Sequence, residues 1–283
     1  MLISEDFQFS QASLQDYEEC PRRFYLRYVM NAAWPAVITE PAEEHERQLR
    51  LGQDFHRLVQ QQLLGLPEER LAEMIHDPEL ELWWQAYRTY RPAELSGAHY
   101  PEMSLGATVA GHRLVAKYDL VVMQPEDAIT PGTWRATIFD WKTSPKPARA
   151  DVLISRWQTR VYRYLLAAAG AHLNGGAALA PEQIGMLYWY PAEPAAVRSL
   201  PYTSDAYAAD GRELAVLLER IAGSDEPEAF WLTDDLKRCG YCPYRSHCGR
   251  GEIAASIERM DEIDVGDVSA VEIDFEQIAE IEF

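Results

Sequence analysis

The sequence predicts a mixed α/β domain in which helices flank a small β-sheet. Two patterns predict this class. Apolar residues first recur at helical spacing, and three segments with the composition of strands then follow, separated by turn residues. After them come a helix, a strand and a further helix. Helical and strand-like segments along one chain favour helices packed against a shared sheet.

The N-terminal part of the chain is predicted to be helical. Leu14, Tyr17, Phe24 and Tyr28 lie at helical spacings, and Pro21 interrupts the helix because proline lacks the amide hydrogen that a helix needs. Helices are expected over three stretches: 13–29, 43–64 and 68–90.

The middle of the chain is predicted to supply the sheet. Strand-like composition occurs in three segments: 99–110, 112–123 and 134–142. Gly111 and the Pro131-Gly132 pair lie between these segments as turn residues. A helix, a strand and a helix are expected after the third segment, over 151–171, 183–190 and 207–222. A cysteine-rich segment and an acidic tail complete the chain.

Length and composition favour one globular domain. A chain of 283 residues can bury a substantial core, and 47% of its residues are hydrophobic. We expect a single domain over 1–251, with its core at 99–200, and an acidic tail over 252–283. No apolar run approaches the length of a membrane span, and the first residues have neither a basic start nor an apolar stretch. A cytoplasmic location without membrane contact is therefore expected.

The charge is unevenly distributed. The chain carries a net charge of −19, of which the segment 252–283 contributes −10 through eleven acidic residues and one arginine, Arg259. This excess makes non-specific coating of duplex DNA unfavourable, but local basic channels remain possible. Basic residues cluster in four places: Arg22-Arg23-Arg27, Lys142-Lys146-Arg149, Arg156-Arg160-Arg163 and Lys237-Arg238-Arg245-Arg250. The tail itself either solubilises the protein or docks on a partner or on the basic channel.

One predicted strand carries a carboxylate and an ammonium group on the same face. Alternate residues of a strand share a face, so Asp140 and Lys142 point one way while Phe139 and Trp141 pack the other way. An Asp beside a Lys at a strand end can hold a divalent cation and orient its attacking water. The same triplet also occurs as a solvated strand edge.

The preceding strand adds a second carboxylate. Asp119 shares a face with Arg113 and Lys117, and an antiparallel neighbour would place it beside Asp140. Two carboxylates form a hard-oxygen site suited to Mg²⁺ or Mn²⁺. The alternative is an ordinary cross-strand ion pair between Lys117 and Asp140.

Two helices supply further candidates. His56 lies on the helix before the sheet, where it is either a metal ligand or a structural residue. Gln158 and Tyr162 are four residues apart and share a helix face, beside a stripe formed by Arg156, Arg160 and Arg163. Such groups suit contact with a nucleic-acid strand, and the same pattern also fits an amphipathic helix with a solvated basic face.

The four cysteines form one pattern. Cys20 lies near the N-terminus, and Cys239, Cys242 and Cys248 follow with C-x₂-C-x₅-C spacing. In a cytosolic chain this spacing indicates a metal site, with Cys20 as the fourth ligand and His247 as a possible substitute. Zinc and an iron–sulfur cluster both suit four thiolates.

Taken together, these residues resemble the RecB-type branch of the PD-(D/E)XK nucleases over about residues 10 to 250. The similarity lies in the order of His56, Asp119, Asp140-x-Lys142 and Gln158-x-x-x-Tyr162. It implies a restriction-endonuclease-like mixed sheet and a metal-dependent deoxyribonuclease. The resemblance also implies roles for individual residues. It implies that Mg²⁺ or Mn²⁺ is bound by His56, Asp119, Asp140 and the Trp141 carbonyl. It further implies that Lys142, Asp140 and Asp119 act in catalysis, and that DNA is contacted by Gln158, Tyr162, Arg156 and Arg160.

Two further positions are implied less directly by this resemblance. Glu102, at the start of the first strand, matches a frequent acidic position. Lys117 is expected either to narrow the DNA path or to contact a phosphate.

The cysteine pattern is similar to that of iron–sulfur RecB-like nucleases. Cys20-Pro21, preceded by Leu14 and Tyr17 and followed far downstream by C-x₂-C-x₅-C, resembles the CRISPR-associated exonuclease family and the AddB nuclease domain. The resemblance implies a [4Fe–4S] cluster and an exonuclease acting on single-stranded DNA or duplex ends. A helicase or CRISPR adaptation proteins are the implied partners. The alternative function is a non-catalytic adaptor subunit that keeps the fold and the cluster.

Overall fold

The computed structural model describes residues 2–32, 40–90, 96–124, 135–240 and 242–251, with the backbone alone over 40–46. The tail 252–283 and the Pro131-Gly132 turn lie outside these residues. The helices are α1 Gln11–Glu19, α2 Pro21–Phe24, α3 Glu40–Leu63, α4 Glu68–Ala72, α5 Pro78–Tyr90, α6 Ala150–Ser155, α7 Trp157–Ala169, α8 Ser204–Ala222 and α9 Leu236–Cys239. The strands are β1 Gln8–Ser10, β2 Ala98–Val109, β3 His112–Met123, β4 Ala136–Trp141, β5 Ile184–Trp189 and β6 Arg198–Pro201.

Six strands form one mixed sheet. The strand order is β1-β3-β4-β5-β6, and β2 pairs with β3 outside this path. Strands β3 and β4 are antiparallel, β4 and β5 are parallel, and β5 and β6 are antiparallel. The parallel pair is joined through α6 and α7, as a parallel connection requires a crossover. The predicted mixed α/β fold is therefore confirmed. The short strands β1 and β6 were not predicted.

A tight turn joins the two longest strands. Ala110 has a φ of 49° and Gly111 a φ of 82°, so both residues between β2 and β3 adopt left-handed backbone conformations. Two such residues are typical of the hairpin turn that matches the twist of its strands. Gly111 carries no Cβ and adopts this conformation without strain. The predicted boundary between these strands at Gly111 is confirmed.

A cluster of apolar residues, rich in aromatic rings, packs on one face of the sheet. Phe139 and Trp141 of β4 and Trp189 of β5 meet buried residues of α3, α4 and α5. Phe55 stacks on Trp189 with ring centroids 6.4 Å apart, and Tyr87 meets Trp141 edge to face at 5.6 Å. Because this cluster fills one face of β4, alternate residues of the strand point to the other face.

The predicted helix over 68–90 is wrong as a single element. The chain forms α4 and then α5, which begins at Pro78. A proline is tolerated in the first turn of a helix but interrupts a helix interior. The Asp77 carboxylate accepts a hydrogen bond from the Glu79 amide at 2.8 Å, which satisfies an amide at the start of α5.

The predicted helix over 151–171 is also divided. Arg156 has extended backbone angles and separates α6 from α7. The Thr159 hydroxyl donates to the Leu153 carbonyl at 2.5 Å, and the Arg156 amide donates to the same carbonyl at 3.2 Å. These bonds satisfy an acceptor freed by the break. As a result, Gln158 lies in the first turn of α7.

The N-terminal helical region is divided as well. α1 ends at Glu19, Cys20 is extended, and α2 begins at Pro21, so the predicted interruption at proline is confirmed. A π-helical turn, Tyr25–Val29, continues α2. The described residues contain no helix that is both long and apolar enough to span a membrane.

The contacts divide the chain into two compact units. The cysteine unit comprises Met1–Leu49, Thr108–Leu114 and the residues from Glu213 onward, and the sheet unit comprises Arg50–Ala107 and Val115–Arg212. All four cysteines belong to the first unit. Every residue predicted to bind Mg²⁺ or Mn²⁺, to act in catalysis or to contact DNA belongs to the second. The domain boundary predicted at residue 251 stays a prediction.

Candidate functional site

The sheet register brings two carboxylates side by side. Leu120 of β3 faces Phe139 of β4, so Asp119 and Asp140 follow at the adjacent position. Asp140 in turn faces Tyr188 across the parallel pair, on the sheet face opposite the aromatic cluster. The predicted orientation of Asp140 away from Phe139 and Trp141 agrees with this register.

Asp140, Lys142 and Gln158 form a closed hydrogen-bonded triangle. The Lys142 Nζ lies 3.2 Å from Asp140 Oδ2 and donates to Gln158 Oε1 at 2.8 Å. The Gln158 amide nitrogen donates to Asp140 Oδ1 at 3.0 Å. The residues Asp140 and Lys142 are only 2% and 8% exposed. A buried ammonium held by a carboxylate and an amide has few orientations available, so its position is fixed before any ligand arrives.

The second carboxylate, Asp119, has its own partners. Its Oδ1 lies 3.3 Å from His56 Nδ1, and its Oδ2 accepts the Trp141 amide at 2.9 Å. Burial would raise the pKa of the Asp119 carboxyl, but His56, the Trp141 amide and Lys142 favour the charged form and hold its pKa below the ordinary value. Asp119 is therefore an ionised carboxylate at neutral pH. The fold thus brings His56 of α3 next to Asp119, and its role as a metal ligand stays a prediction.

Glu102 and Lys117 form an ion pair in the same unit. The Lys117 Nζ lies 2.7 Å from Glu102 Oε2. Glu102 has a φ of 52°, a left-handed conformation that costs a non-glycine residue about 1 kcal/mol or more. Asp140 pairs with Lys142, and the Lys117 ammonium contacts Glu102. The cross-strand pair of Lys117 with Asp140 stays an alternative prediction.

The residues expected to contact DNA differ in accessibility. Tyr162 is 5% exposed, and its ring lies 4.8 Å from that of Tyr118. The Arg160 Nε is 2.6 Å from Asp210 Oδ1, and its guanidinium lies over the Trp157 ring at 4.2 Å. Arg156 is half-buried in the break between α6 and α7. DNA contact by these residues stays a prediction.

Arg163 does not belong to an exposed basic stripe. It is 4% exposed and donates to the carbonyls of Thr159 and Pro201 at 3.1 and 2.8 Å. Burial lowers the pKa of its guanidinium despite the nearby Asp210. The predicted stripe of three arginines is wrong at this position, because the sequence spacing does not show which helix face meets the sheet.

Tyr188 is a site residue that the sequence reasoning did not single out. Lys142 Nζ lies 5.6 Å from the centre of its ring, and its hydroxyl lies 2.7 Å from Thr159 Oγ1. Tyr188 of β5 therefore contacts both Thr159 of α7 and Lys142, the candidate catalytic residue. Its position beside Asp140 follows from the parallel pairing of β4 and β5, which no local pattern indicates.

Gly52 marks a close approach between α3 and the segment after β4. A methyl group at this position would lie 2.8 Å from Thr143 Oγ1, closer than a Cβ normally approaches any atom. We expect Gly52→Ala to displace Thr143 and its neighbour Lys142 and to lower activity by about tenfold to a hundredfold, since small misplacements are costly. The measurement is a DNA cleavage rate. Gln53→Ala, at an exposed position on the same helix, is the control, and equal rates for both variants would contradict the prediction.

The four cysteines gather in the cysteine unit as free thiols. Burial raises the pKa of the Cys242 thiol to about 11, and Cys20 and Cys248 add to this effect while Arg23 opposes it. Burial also raises the pKa of Cys248, with further contributions from Cys20 and Cys239. The thiols are thus close enough to influence one another's ionisation. His247, the substitute ligand considered above, is exposed.

Ion pairs hold the two cysteine-bearing segments together. Arg238, directly before Cys239, lies 2.8 Å from Glu19, directly before Cys20. Arg23 lies 2.6 Å from Glu19 and 2.8 Å from Asp16. The Arg238–Glu19 pair therefore joins the segment that carries Cys20 to the segment that carries Cys239, and the Arg23 contacts lie within the N-terminal segment.

The donor chemistry at both places fits metal binding. Within the described ranges, no three His, Cys, Asp or Glu side chains are arranged as a metal-binding cluster. The ionised Asp119, the neighbouring Asp140 and the imidazole of His56 nevertheless provide donors suited to a hard divalent cation. The four mutually interacting thiols provide soft donors suited to zinc or iron.

Comparison with known proteins identifies the family of the chain. The family model described as PD-(D/E)XK nuclease superfamily matches residues 8–249. No curated protein matches the chain. The chain is similar to the crystal structure of SSO0001, at 14% identity and a TM-score of 0.40, over 87% of this chain and 88% of that one. It is also similar to a candidate exonuclease from Eubacterium rectale, at 12% identity and a TM-score of 0.45, over 78% and 84% of the two chains.

Proposed function

Because the chain belongs to the PD-(D/E)XK nuclease superfamily, we propose that it is a metal-dependent deoxyribonuclease whose active site comprises Asp119, Asp140 and Lys142. The observation that carries this proposal is the hydrogen-bonded triangle of Asp140, Lys142 and Gln158 beside the ionised Asp119. An ordinary strand-edge ion pair needs neither the burial of both partners nor a second carboxylate at the adjacent position.

Mg²⁺ or Mn²⁺ would be held by Asp119, Asp140, His56 and the Trp141 carbonyl. Such a cation supplies a polarised phosphate oxygen and a water of lowered pKa. The Trp141 amide and the His56 imidazole already orient the two oxygens of Asp119. Partners that fix a ligating carboxylate in this way commonly raise metal affinity.

Lys142 stabilises the negative charge that develops on the scissile phosphate and positions the attacking water. Its ammonium contacts both Asp140 and Gln158, which places the positive charge beside the two carboxylates. Gln158 keeps this ammonium in place by accepting one hydrogen bond and donating another to Asp140. A charge fixed in advance needs no reorganisation when the reaction occurs.

DNA is bound along the first turn of α7, where Arg156 and Gln158 lie. Arg160 and Tyr162 support this turn, since Arg160 is paired with Asp210 and Tyr162 packs on Tyr118. The resemblance of the sequence to iron–sulfur RecB-like nucleases supports single-stranded DNA or duplex ends as substrate and exonucleolytic cleavage as the mode. A helicase or CRISPR adaptation proteins are the partners that this resemblance implies.

We also propose that the four cysteines bind a [4Fe–4S] cluster. The C-x₂-C-x₅-C spacing with Cys20, the mutual influence of the thiols and the surrounding arginines support it. The cluster serves a structural role, tying the segment around Cys20 to the segment around Cys239. Zinc is the alternative occupant, and iron and sulfide analysis of anaerobically purified protein distinguishes the two.

The proposed activity is tested by comparing the cleavage of three nucleic acids with and without a divalent metal. Full-length protein is incubated with single-stranded DNA, duplex DNA and RNA of the same sequence, with Mg²⁺, Mn²⁺ or a chelator. We expect single-stranded DNA to be degraded with Mn²⁺ or Mg²⁺ and to survive in the chelator. Binding of DNA without cleavage under every condition would support the adaptor alternative and contradict the nuclease.

Gln158→Ala tests whether the triangle matters. It removes one hydrogen bond from Lys142 and one from Asp140, so we expect the single-turnover cleavage rate to fall by about tenfold to a hundredfold. The measurement is made at saturating DNA, so that weakened binding does not contribute. Gln85→Ala, which changes an exposed glutamine on α5, is the matched control. A rate equal to that of the control would show that Gln158 does not position Lys142.

A further inference from the structure

Arg250 lies at the end of the described chain and contacts a cysteine directly. Its Nη1 lies 3.2 Å from Cys239 Sγ and also donates to the Thr233 carbonyl at 2.6 Å. The second contact fixes the guanidinium, so the first is held in a defined direction. A guanidinium held in this way can donate a hydrogen bond to the sulfur.

The backbone after Cys248 directs Arg250 back to this place. Gly249 has a φ of 64°, a left-handed conformation, and the Arg250 amide then donates to the Arg245 carbonyl at 2.9 Å. This turn reverses the chain directly after the last cysteine. Arg250, two residues after the third cysteine of the C-x₂-C-x₅-C segment, thereby reaches the sulfur of the first.

We infer that Arg250 is a positioning residue for the metal-binding thiolates, holding Cys239 by a charged hydrogen bond and offsetting the negative charge of the four-cysteine centre. This inference rests on the proposed four-cysteine cluster. Arg22 and Arg23 assist, because they act electrostatically on Cys248 and Cys242 respectively. Arg250 itself contacts a cysteine sulfur directly.

The inference has two physical consequences. Hydrogen bonds to ligand sulfurs and nearby positive charge stabilise the more negative, reduced state of a cluster, so they raise its reduction potential. They also stabilise the thiolate ligand itself, so they slow its release from the metal. Loss of Arg250 should therefore lower the potential and accelerate metal loss.

The test compares full-length wild type, Arg250→Gln, Arg250→Lys and Arg212→Gln after anaerobic reconstitution with iron and sulfide. Arg212 is an exposed arginine in the sheet unit and serves as the control for a lost charge. The readouts are the midpoint potential of the cluster and the rate of iron transfer to a chelator. We expect Arg250→Gln to have a lower potential and to lose iron about tenfold faster, Arg250→Lys to lie between, and Arg212→Gln to match wild type.

Two results would overturn the inference in different ways. Wild-type potential and iron release in Arg250→Gln, even with a lower melting temperature, would assign Arg250 a purely structural role through Thr233. A wild-type protein that takes up no iron would overturn the proposed cluster itself, and this inference with it. The wild-type iron content therefore separates the two failures.

Discussion

Lys142→Ala is expected to lower the rate of DNA cleavage by about a hundredfold to a thousandfold, the usual loss when one preorganised charge is removed from a transition state. The reason is geometric. The Lys142 ammonium is buried and is held by Asp140 and Gln158, so its charge is fixed at one place beside the two carboxylates. The measurement is the single-turnover cleavage of single-stranded DNA with Mn²⁺.

Two controls separate chemistry from folding and binding. Lys146→Ala removes an exposed lysine four residues away, and we expect a far smaller effect on the rate. Removing Lys142 also leaves Asp140 buried without its cation, which is destabilising, so circular dichroism must establish that the variant is folded. A folded Lys142→Ala protein that cleaves as fast as Lys146→Ala would remove Lys142 from the mechanism.

Cys20→Ser is expected to abolish metal binding by the cysteine unit and to lower the melting temperature by roughly 10–20 °C. Cys20 is separated from Cys239 by more than two hundred residues, and cross-linking so long a loop stabilises a protein by about 5 kcal/mol in the chain-entropy account. For a protein of this size, about 1 kcal/mol corresponds to 2–4 °C. Thermal unfolding and metal content are measured on the same samples.

The control for this prediction is His247→Ala. His247 is exposed and is the other side chain considered as the fourth ligand, so its removal should leave metal content and stability unchanged. Wild-type protein from which a chelator has removed the metal should have the same melting temperature as Cys20→Ser. If Cys20→Ser kept its metal and His247→Ala lost it, the fourth ligand would be His247 and the prediction for Cys20 would be wrong.

The arrangement of the two acidic residues could be predicted because strand alternation is a local rule. The sequence placed Phe139 and Trp141 on a buried face and Asp140 on the other, and the register of β3 and β4 agrees. The pairing of Lys142 with Gln158 was not predicted, since it depends on where α7 begins. That start is set by a break at Arg156 in a stretch with continuous helical spacing.

Other features depend on contacts that no spacing reveals. Tyr162 and Arg163 occupy a face of α7 that is buried, although both looked available for a nucleic-acid strand. Tyr188 reaches Lys142 only through the parallel pairing of β4 and β5. The ion pair of Glu19 with Arg238 joins residues far apart in sequence. The cysteine spacing indicated a shared site, but not the arginines around it.

The most direct test of the central claim is the Mn²⁺-dependent degradation of single-stranded DNA labelled at either the 5′ or the 3′ end. Full-length wild-type protein is compared with Asp140→Asn, which removes the charge of a carboxylate assigned both to the metal and to Lys142. We expect wild type to release one label before the other and Asp140→Asn to release neither. Intact DNA with metal-loaded wild type, or equal degradation by the variant, would contradict a nuclease centred on these residues.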